Sequence, residues 1–264
     1  MIKMKNISFV LKAALLVLLI GCSNDDNQGQ IEQQPEEEVL NLPKQIQINF
    51  SEVHNASYQF AYNENKQITS IDLQRNSDGD LYHIFSEFLY STDGNLTAVS
   101  TDDVLNGVGR NVFFTYLSNG DLADVAMVSN GSKKDSELSY DVPNRTYYLD
   151  YQTGPLTEIL FDSDGNLEEI DFNGTRWQLA HDNFEKGLFH EAKIPSPMLL
   201  WFGMNYYYNP SEIYFLSMKN IGSFSSAGAN FLIDEVQRSE SGHLEKFTIS
   251  SDDASYSADY AITY

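Results

Sequence analysis

The sequence is short of cysteine, of positive charge and of long apolar runs. One cysteine, Cys22, cannot form an intramolecular disulfide or supply a Cys-rich metal site. Lys and Arg number 16 against 38 Asp and Glu, a net charge of −22. Nucleic acid and anionic lipid surfaces require clustered Lys and Arg, so neither is expected as a partner of the folded chain. The longest apolar run, Ala13-Ala14-Leu15-Leu16-Val17-Leu18-Leu19-Ile20, falls short of the roughly 20 residues a helix needs to cross a bilayer.

Signatures of chemistry are missing too. The five histidines show no metal-ligand spacing. His190-Glu191 begins like a zinc-peptidase helix, but its second histidine would have to stand at Ile194. Gly107-Val108-Gly109 has no third glycine for a dinucleotide loop, and there is no phosphate loop and no Gly-x-Ser-x-Gly nucleophile turn. Asp162-Ser163-Asp164-Gly165-Asn166 resembles a calcium loop, yet an EF-hand needs its glycine at the sixth place and here it is at the fourth. It reads as a hairpin turn. The reading is therefore no cofactor, no metal and no identifiable catalytic residue. A carboxylate pair of glycosidase type cannot be located from sequence, because its test is a spatial separation.

What is present begins at the N-terminus. Lys3 and Lys5, a short apolar segment and Gly21 form a secretory signal, to be set apart from the fold. Leu19-Ile20-Gly21-Cys22 resembles the bacterial lipobox, which implies cleavage before Cys22 and a lipid anchor on it. Ser23-Asn24-Asp25-Asp26-Asn27 resembles the export signal of surface lipoproteins in the Bacteroidetes, with Asp25 and Asp26 as its acidic core. These resemblances imply an outer-membrane lipoprotein on the cell surface, the alternative being the periplasmic leaflet. Residues 23–43 are rich in Asn, Gln and Glu, too polar to bury, and read as a disordered acidic tether. The expected organisation is a signal peptide over 1–21, lipidated Cys22 and tether over 22–43, and one β-domain over 44–264. Losing Lys3, Lys5 and Lys12 leaves 13 basic against 38 acidic residues, a net charge of −25. With Cys22 lipidated, the domain must be held by its core alone.

A Gly-x-Leu-x-x-apolar pattern recurs at Gly79, Gly94, Gly120, Gly154, Gly165 and Gly242, with a glycine-free variant at Lys66-Gln67-Ile68-Thr69-Ser70-Ile71. An aromatic commonly precedes the glycine by three or four places: Tyr90, Tyr116, Tyr151, Phe161. Asp-Gly and Asn-Gly supply the left-handed positions of tight hairpins, and the residues beyond alternate as strands do. Leu and the next apolar residue are three apart, so both face one side only if a bulge intervenes. The expectation is an all-β antiparallel meander of repeated hairpins, barrel-like or strongly curved. The pattern resembles the YD repeats of Rhs-type proteins. It is closer to a family of Bacteroidetes lipoproteins with a porin-like β-fold, a resemblance covering about 44–264 and including Asp182-Asn183-Phe184-Glu185-Lys186 before an apolar stretch. The family's Asn-Pro-Phe lacks its proline here. The resemblance implies a β-fold and brings no activity.

The repeat is interrupted between Gly187 and Ser226. Ser196 can cap and Pro197 can open a short helix to about Met204, within a helical and aromatic insertion near 196–208. Its aromatics read either as core or as an exposed ligand platform of Trp201, Tyr206, Tyr207 and Tyr208. Two functions stand at this point. One is a non-catalytic binding or structural lipoprotein, attached to the membrane through Cys22 and meeting a glycan or protein ligand. The alternative is a surface glycan hydrolase with an unlocated carboxylate pair. One-sided strands fit either a soluble barrel or a lipid-facing one, and the lipid anchor favours the former.

Overall fold

Up-and-down pairing of successive strands builds the domain, and the last strand returns to the first. The computed structural model describes residues 41–51, 54–129, 132–151, 156–204, 217–226 and 228–264. The first eight strands are β1 (Gln45–Asn49), β2 (His54–Tyr62), β3 (Ile68–Ser77), β4 (Asp80–Tyr90), β5 (Leu96–Asp103), β6 (Val108–Tyr116), β7 (Leu122–Ser129) and β8 (Ser132–Asp141). They are followed by β9 (Thr146–Tyr151), β10 (Thr157–Phe161), β11 (Leu167–Phe172), β12 (Thr175–Lys186), a helix α1 (Ser196–Met204), β13 (Lys219–Ser226), β14 (Ala229–Arg238), β15 (Leu244–Ser251) and β16 (Ser257–Thr263). Each strand pairs antiparallel with its sequence neighbours, and β1 pairs with β16, so the sixteen strands among the described residues close a barrel. Closure removes the sheet edges that a curved open sheet would leave unpaired. The compact unit comprises Leu40–Tyr264.

The recurring glycine pattern builds one end of this barrel. At Ser91–Asn95 the Gly94 N–H bonds the Ser91 carbonyl and the Ser91 N–H bonds the Asn95 carbonyl, a three-residue loop with Gly94 at φ 83°. The same two bonds recur at Leu117–Asp121, Asp162–Asn166 and Ser239–His243. In the glycine-free variant, Lys66 takes the left-handed position at φ 64°. Each loop ends in a register shift. Tyr90 pairs with Leu96 while Leu89 pairs with Ala98, leaving Thr97 as the extra residue. The bulge turns Leu96 and Val99 to the same side, both fully buried. Tyr62/Ile68, Tyr116/Leu122 and Phe161/Leu167 repeat the shift.

Two members of the sequence pattern behave otherwise. Asp78 and Gly79 both have positive φ and form a two-residue turn at the opposite end, with Ser77 paired to Asp80 and no bulge. Parity is then uncorrected, and Leu81 points outward at 66 % exposure. Gly154 lies outside the described residues.

Register fixes what faces where. Ile46, Tyr58, Leu73 and Ile84 are successive cross-strand neighbours on the inner face, continued around the ring by Ile48–Tyr260, Ile159–Ile170 and Phe247–Tyr260. All of them are buried. The outer ladders are polar: Gln47 opposite Ser57, Ser57 opposite Gln74, Glu169 opposite Gln178, and Thr248 opposite Asp259. Outward apolar side chains stand among them at Leu81, Phe85, Leu89 and Phe113, and again at Leu232 and Val236, with Glu87, Asp102 and Asp234 interspersed.

A tyrosine closes most of the bulged ends. The Tyr62, Tyr90, Tyr116 and Tyr264 hydroxyls donate to the carbonyls of Pro43, Ile68, Leu96 and Leu244 at 2.7–2.9 Å. Burial pushes all four phenols upward, Tyr116 to about 12.

Residues 187–204, after β12, fill the barrel. Phe189 is fully buried with its ring 5.2 Å from Phe60, and the Lys193 N–H bonds the Lys66 carbonyl of the first hairpin loop. Helix α1 begins where Ser196-Pro197 places it and carries Met198, Leu199, Leu200, Trp201 and Phe202, all buried. It touches β5 on one side and β10 and β11 on the other, so it crosses the interior. A helix apolar all round needs such a site. Among the described residues no helix is long and apolar enough to cross a membrane.

Candidate functional site

The fifteenth strand's hairpin departs from the repeat at two positions. Four places before the glycine, the other loops carry Tyr62, Tyr90, Tyr116 and Phe161; here stands Arg238. Directly after the glycine they carry Gln67, Asn95, Asp121 and Asn166; here stands His243. Arg238 pairs with Leu244 at the register shift, as the aromatics do elsewhere. Its Nη1 donates both to the Gly242 carbonyl at 2.8 Å and to the Lys186 carbonyl at 3.2 Å, and Nη2 pairs with Glu185. One guanidinium thus fastens the hairpin loop to the last residue of β12.

That fastening sets His243 against the start of the insertion. The Gly187 N–H bonds the Met218 carbonyl, and a side chain at 187 would collide with the backbone of Lys219 and Met218. Beyond this glycine the chain turns, and His190 Nδ1 donates to the Gly187 carbonyl at 3.0 Å, which leaves Nε2 free of that role. Nε2 is buried, has no hydrogen-bond partner and lies 3.3 Å from Glu191 Oε1. His243 Nε2 is 3.8 Å from the same oxygen. The three ligand-type atoms lie within 4.8 Å of one another. Burial pushes His190 below the ordinary histidine value, favouring the neutral ring.

Asn41 completes the surroundings. Its backbone N–H donates to Glu191 Oε2 at 3.1 Å and its side-chain amide meets His243 Nε2 at 3.0 Å. The His190 ring centroid is 5.2 Å from that of His243, and Tyr264 stands 5.2 Å beyond. His243 is 5 % exposed and His190 15 %, so the cluster is shielded but reachable.

The residues singled out from sequence fall elsewhere. Cys22, Asp25 and Asp26 lie outside the described residues, as do Tyr206, Tyr207 and Tyr208. Trp201 belongs to the core: it is fully buried and packs edge-on against Phe88 and Phe202 at 5.0 and 4.7 Å. It cannot present its face to a ligand from outside, because α1 lies within the barrel. The Asp162–Asn166 segment is a hairpin loop. Asp162 Oδ1 accepts from the Asp164 and Asn166 N–H groups, and Lys219 Nζ bridges Asp162 and Asp164 at 2.8 Å each. The ammonium occupies the place a cation would take.

The opposite end carries two open depressions. One of about 380 Å³ is lined by His54, Arg75, Ser77 and Tyr256, and one of about 430 Å³ by Gln74, Arg75, Tyr82 and Leu105. Neither gathers ligand-type atoms as the His190 cluster does.

Sequence spacing does not connect His190 with His243. The signal that could have found them is the double departure of Arg238 and His243 from the aligned hairpin loops.

No protein-family profile matches the chain, and neither does any curated protein. Among solved structures, a porin-like protein from Bacteroides uniformis is 12 % identical, with a TM-score of 0.48 over 84 % of this chain and 96 % of its own. The Photorhabdus luminescens Tc holotoxin pore is 11 % identical, with a TM-score of 0.23 over 78 % of this chain and 12 % of its own. The TcdB2-TccC3 complex without its hypervariable C-terminal region gives 12 % identity, a TM-score of 0.23 and the same shares. The chain thus spans a small part of the latter two, and none of these likenesses brings it an activity.

Proposed function

We propose that this chain is an outer-membrane lipoprotein whose barrel is a filled binding or structural domain held outside the lipid, rather than a channel through it. The observation that carries the reading is the direction of the side chains. The inner face is mainly apolar and occupied by α1, while the outer ladders are mainly polar. A membrane barrel needs the reverse arrangement: an apolar band outward, and an interior that is polar or water-filled.

The lipobox at Cys22 supplies the attachment such a domain requires, and Asp25-Asp26 direct it to the cell surface. The net charge suits a domain that stands near an anionic membrane without adsorbing to it. A glycan or protein ligand would meet the polar outer wall or the barrel ends, since the interior is packed.

Metabolic labelling with an alkyne fatty acid tests the attachment. Label on the wild-type chain and none on Cys22→Ser is expected; equal label on both contradicts it. Whole-cell protease shaving tests the address. Loss of the protein from intact cells is expected, and protection until lysis contradicts surface display.

A further inference from the structure

We propose that His190, Glu191 and His243 form a binding site for a divalent transition-metal ion, zinc foremost. The geometry is close to what zinc requires. Ligand atoms at about 2.0–2.1 Å from a tetrahedral ion lie roughly 3.4 Å apart. Glu191 Oε1 is already 3.3 Å from His190 Nε2 and 3.8 Å from His243 Nε2. Small side-chain motions close the set.

The ring of His190 is oriented for the task. Its Nδ1–H is committed to the Gly187 carbonyl, the second-sphere bond that commonly fixes a metal-ligating imidazole. Nε2 then directs an electron pair at a carboxylate oxygen, which is also an electron-pair donor. Two such donors 3.3 Å apart, with Nε2 otherwise unpartnered, present a gap that a shared cation can bridge. Two imidazoles and one carboxylate suit zinc and its neighbours, whereas calcium and magnesium prefer all-oxygen sets.

The supporting frame belongs to this hairpin among the aligned ones. Arg238 replaces the aromatic that closes the other bulges, and joins the Gly242 carbonyl beside His243 to the Lys186 carbonyl ahead of Gly187. Arg238 is thus a positioning residue. Three protein ligands leave a fourth position for water or for Asn41, whose amide must release His243 Nε2 when the ion enters. The ion would cross-link the barrel wall to the segment that fills it.

The test uses the full mature chain, stripped with chelator and titrated with Zn²⁺ and with Co²⁺ as a visible reporter. One equivalent of Co²⁺ is expected to give d–d bands that Zn²⁺ abolishes. His190→Ala, His243→Ala and Glu191→Gln are each expected to weaken Zn²⁺ binding by more than about tenfold, the lower bound seen for loss of a second-sphere partner. Asp253→Asn, a surface carboxylate elsewhere, should leave it unchanged. Equal Zn²⁺ affinity in the wild type and in folded His190→Ala and His243→Ala variants overturns the proposal, since binding would then belong to the acidic surface. If those variants fail to fold, ring ¹⁵N shifts of the wild type decide. Zn²⁺ must move Nε2 of His190 and His243, and shifts confined to other histidines overturn the site.

Discussion

The Tyr116 hydroxyl lies 2.7 Å from the carbonyl oxygen of Leu96, the first residue of the neighbouring strand. A bulge separates Leu96 from Ala98 and interrupts the ladder there. The tyrosine supplies a hydrogen-bond partner just where the bulge disturbs the ladder, and Tyr90 and Tyr264 do the same for Ile68 and Leu244. These three tyrosines thereby pin their strand ends to the strands beside them. Tyr116→Phe keeps the ring and leaves the Leu96 carbonyl without this donor, so it should cost about 1–2 kcal/mol in urea unfolding. The Tyr116 phenol should stay protonated until about pH 12 in a spectrophotometric titration, because burial opposes its charged form.

Two glycines should respond differently to the same substitution. Around Gly120 nothing lies within 4 Å of an added Cβ, so Gly120→Ala carries only the strain of φ 91°, about 1 kcal/mol. Gly187→Ala would drive a methyl into the Lys219 and Met218 backbone, which must move. A cost of about 1–3 kcal/mol is expected, together with disturbance of His190, whose Nδ1 depends on the Gly187 carbonyl. Denaturant midpoints of the two variants make the comparison.

Acid should loosen the Asp162–Lys219 link. Burial alone would raise the Asp162 carboxyl, but the Lys219 ammonium and the Asn166 and Asp164 N–H groups outweigh it and hold it at about 2, against an ordinary 3.8. A lowered folded-state value means the contribution is complete above about pH 4 and is lost as pH falls toward 2. Stability measured across that window should fall less steeply for Asp162→Asn than for the wild type. Identical slopes would show that the ion pair does not form.

The buried tryptophan offers a direct view of the filled interior. In a Trp177→Phe background, Trp201 should emit at short wavelength and resist acrylamide quenching, because it is fully enclosed. Trp201→Ala should cost about 3–5 kcal/mol, as removal of a large core aromatic does. Ready quenching would mean that the insertion does not occupy the barrel.

Much of this architecture is legible in the chain because its rules are local. The three-residue spacing of Leu96 and Val99 demands a bulge, and the bulge is there. Ser196-Pro197 ahead of an apolar run specifies the start of α1, which begins at Ser196. Gly79 shows where local rules mislead: its motif matches the others, but a two-residue turn restores register without a bulge and leaves Leu81 outside. Ring closure through Ile46 and Ile262, and the meeting of His190 with His243, depend on contacts between distant segments. No spacing rule reports them. Only the appearance of Arg238 where the aligned loops carry an aromatic, and of His243 where they carry Gln, Asn or Asp, gave a sign of the second.

The central claim is a filled barrel held outside the lipid by its tether, and cutting the tether tests it most directly. A site-specific protease sequence placed between Gln28 and Glu36 allows outer membranes to be digested without detergent. The barrel should then leave the membrane pellet as a folded, water-soluble fragment of the mass expected for the cut site. A fragment of the same mass that stays in the pellet after carbonate washing would contradict the account, because the strands themselves would then be holding it in the bilayer.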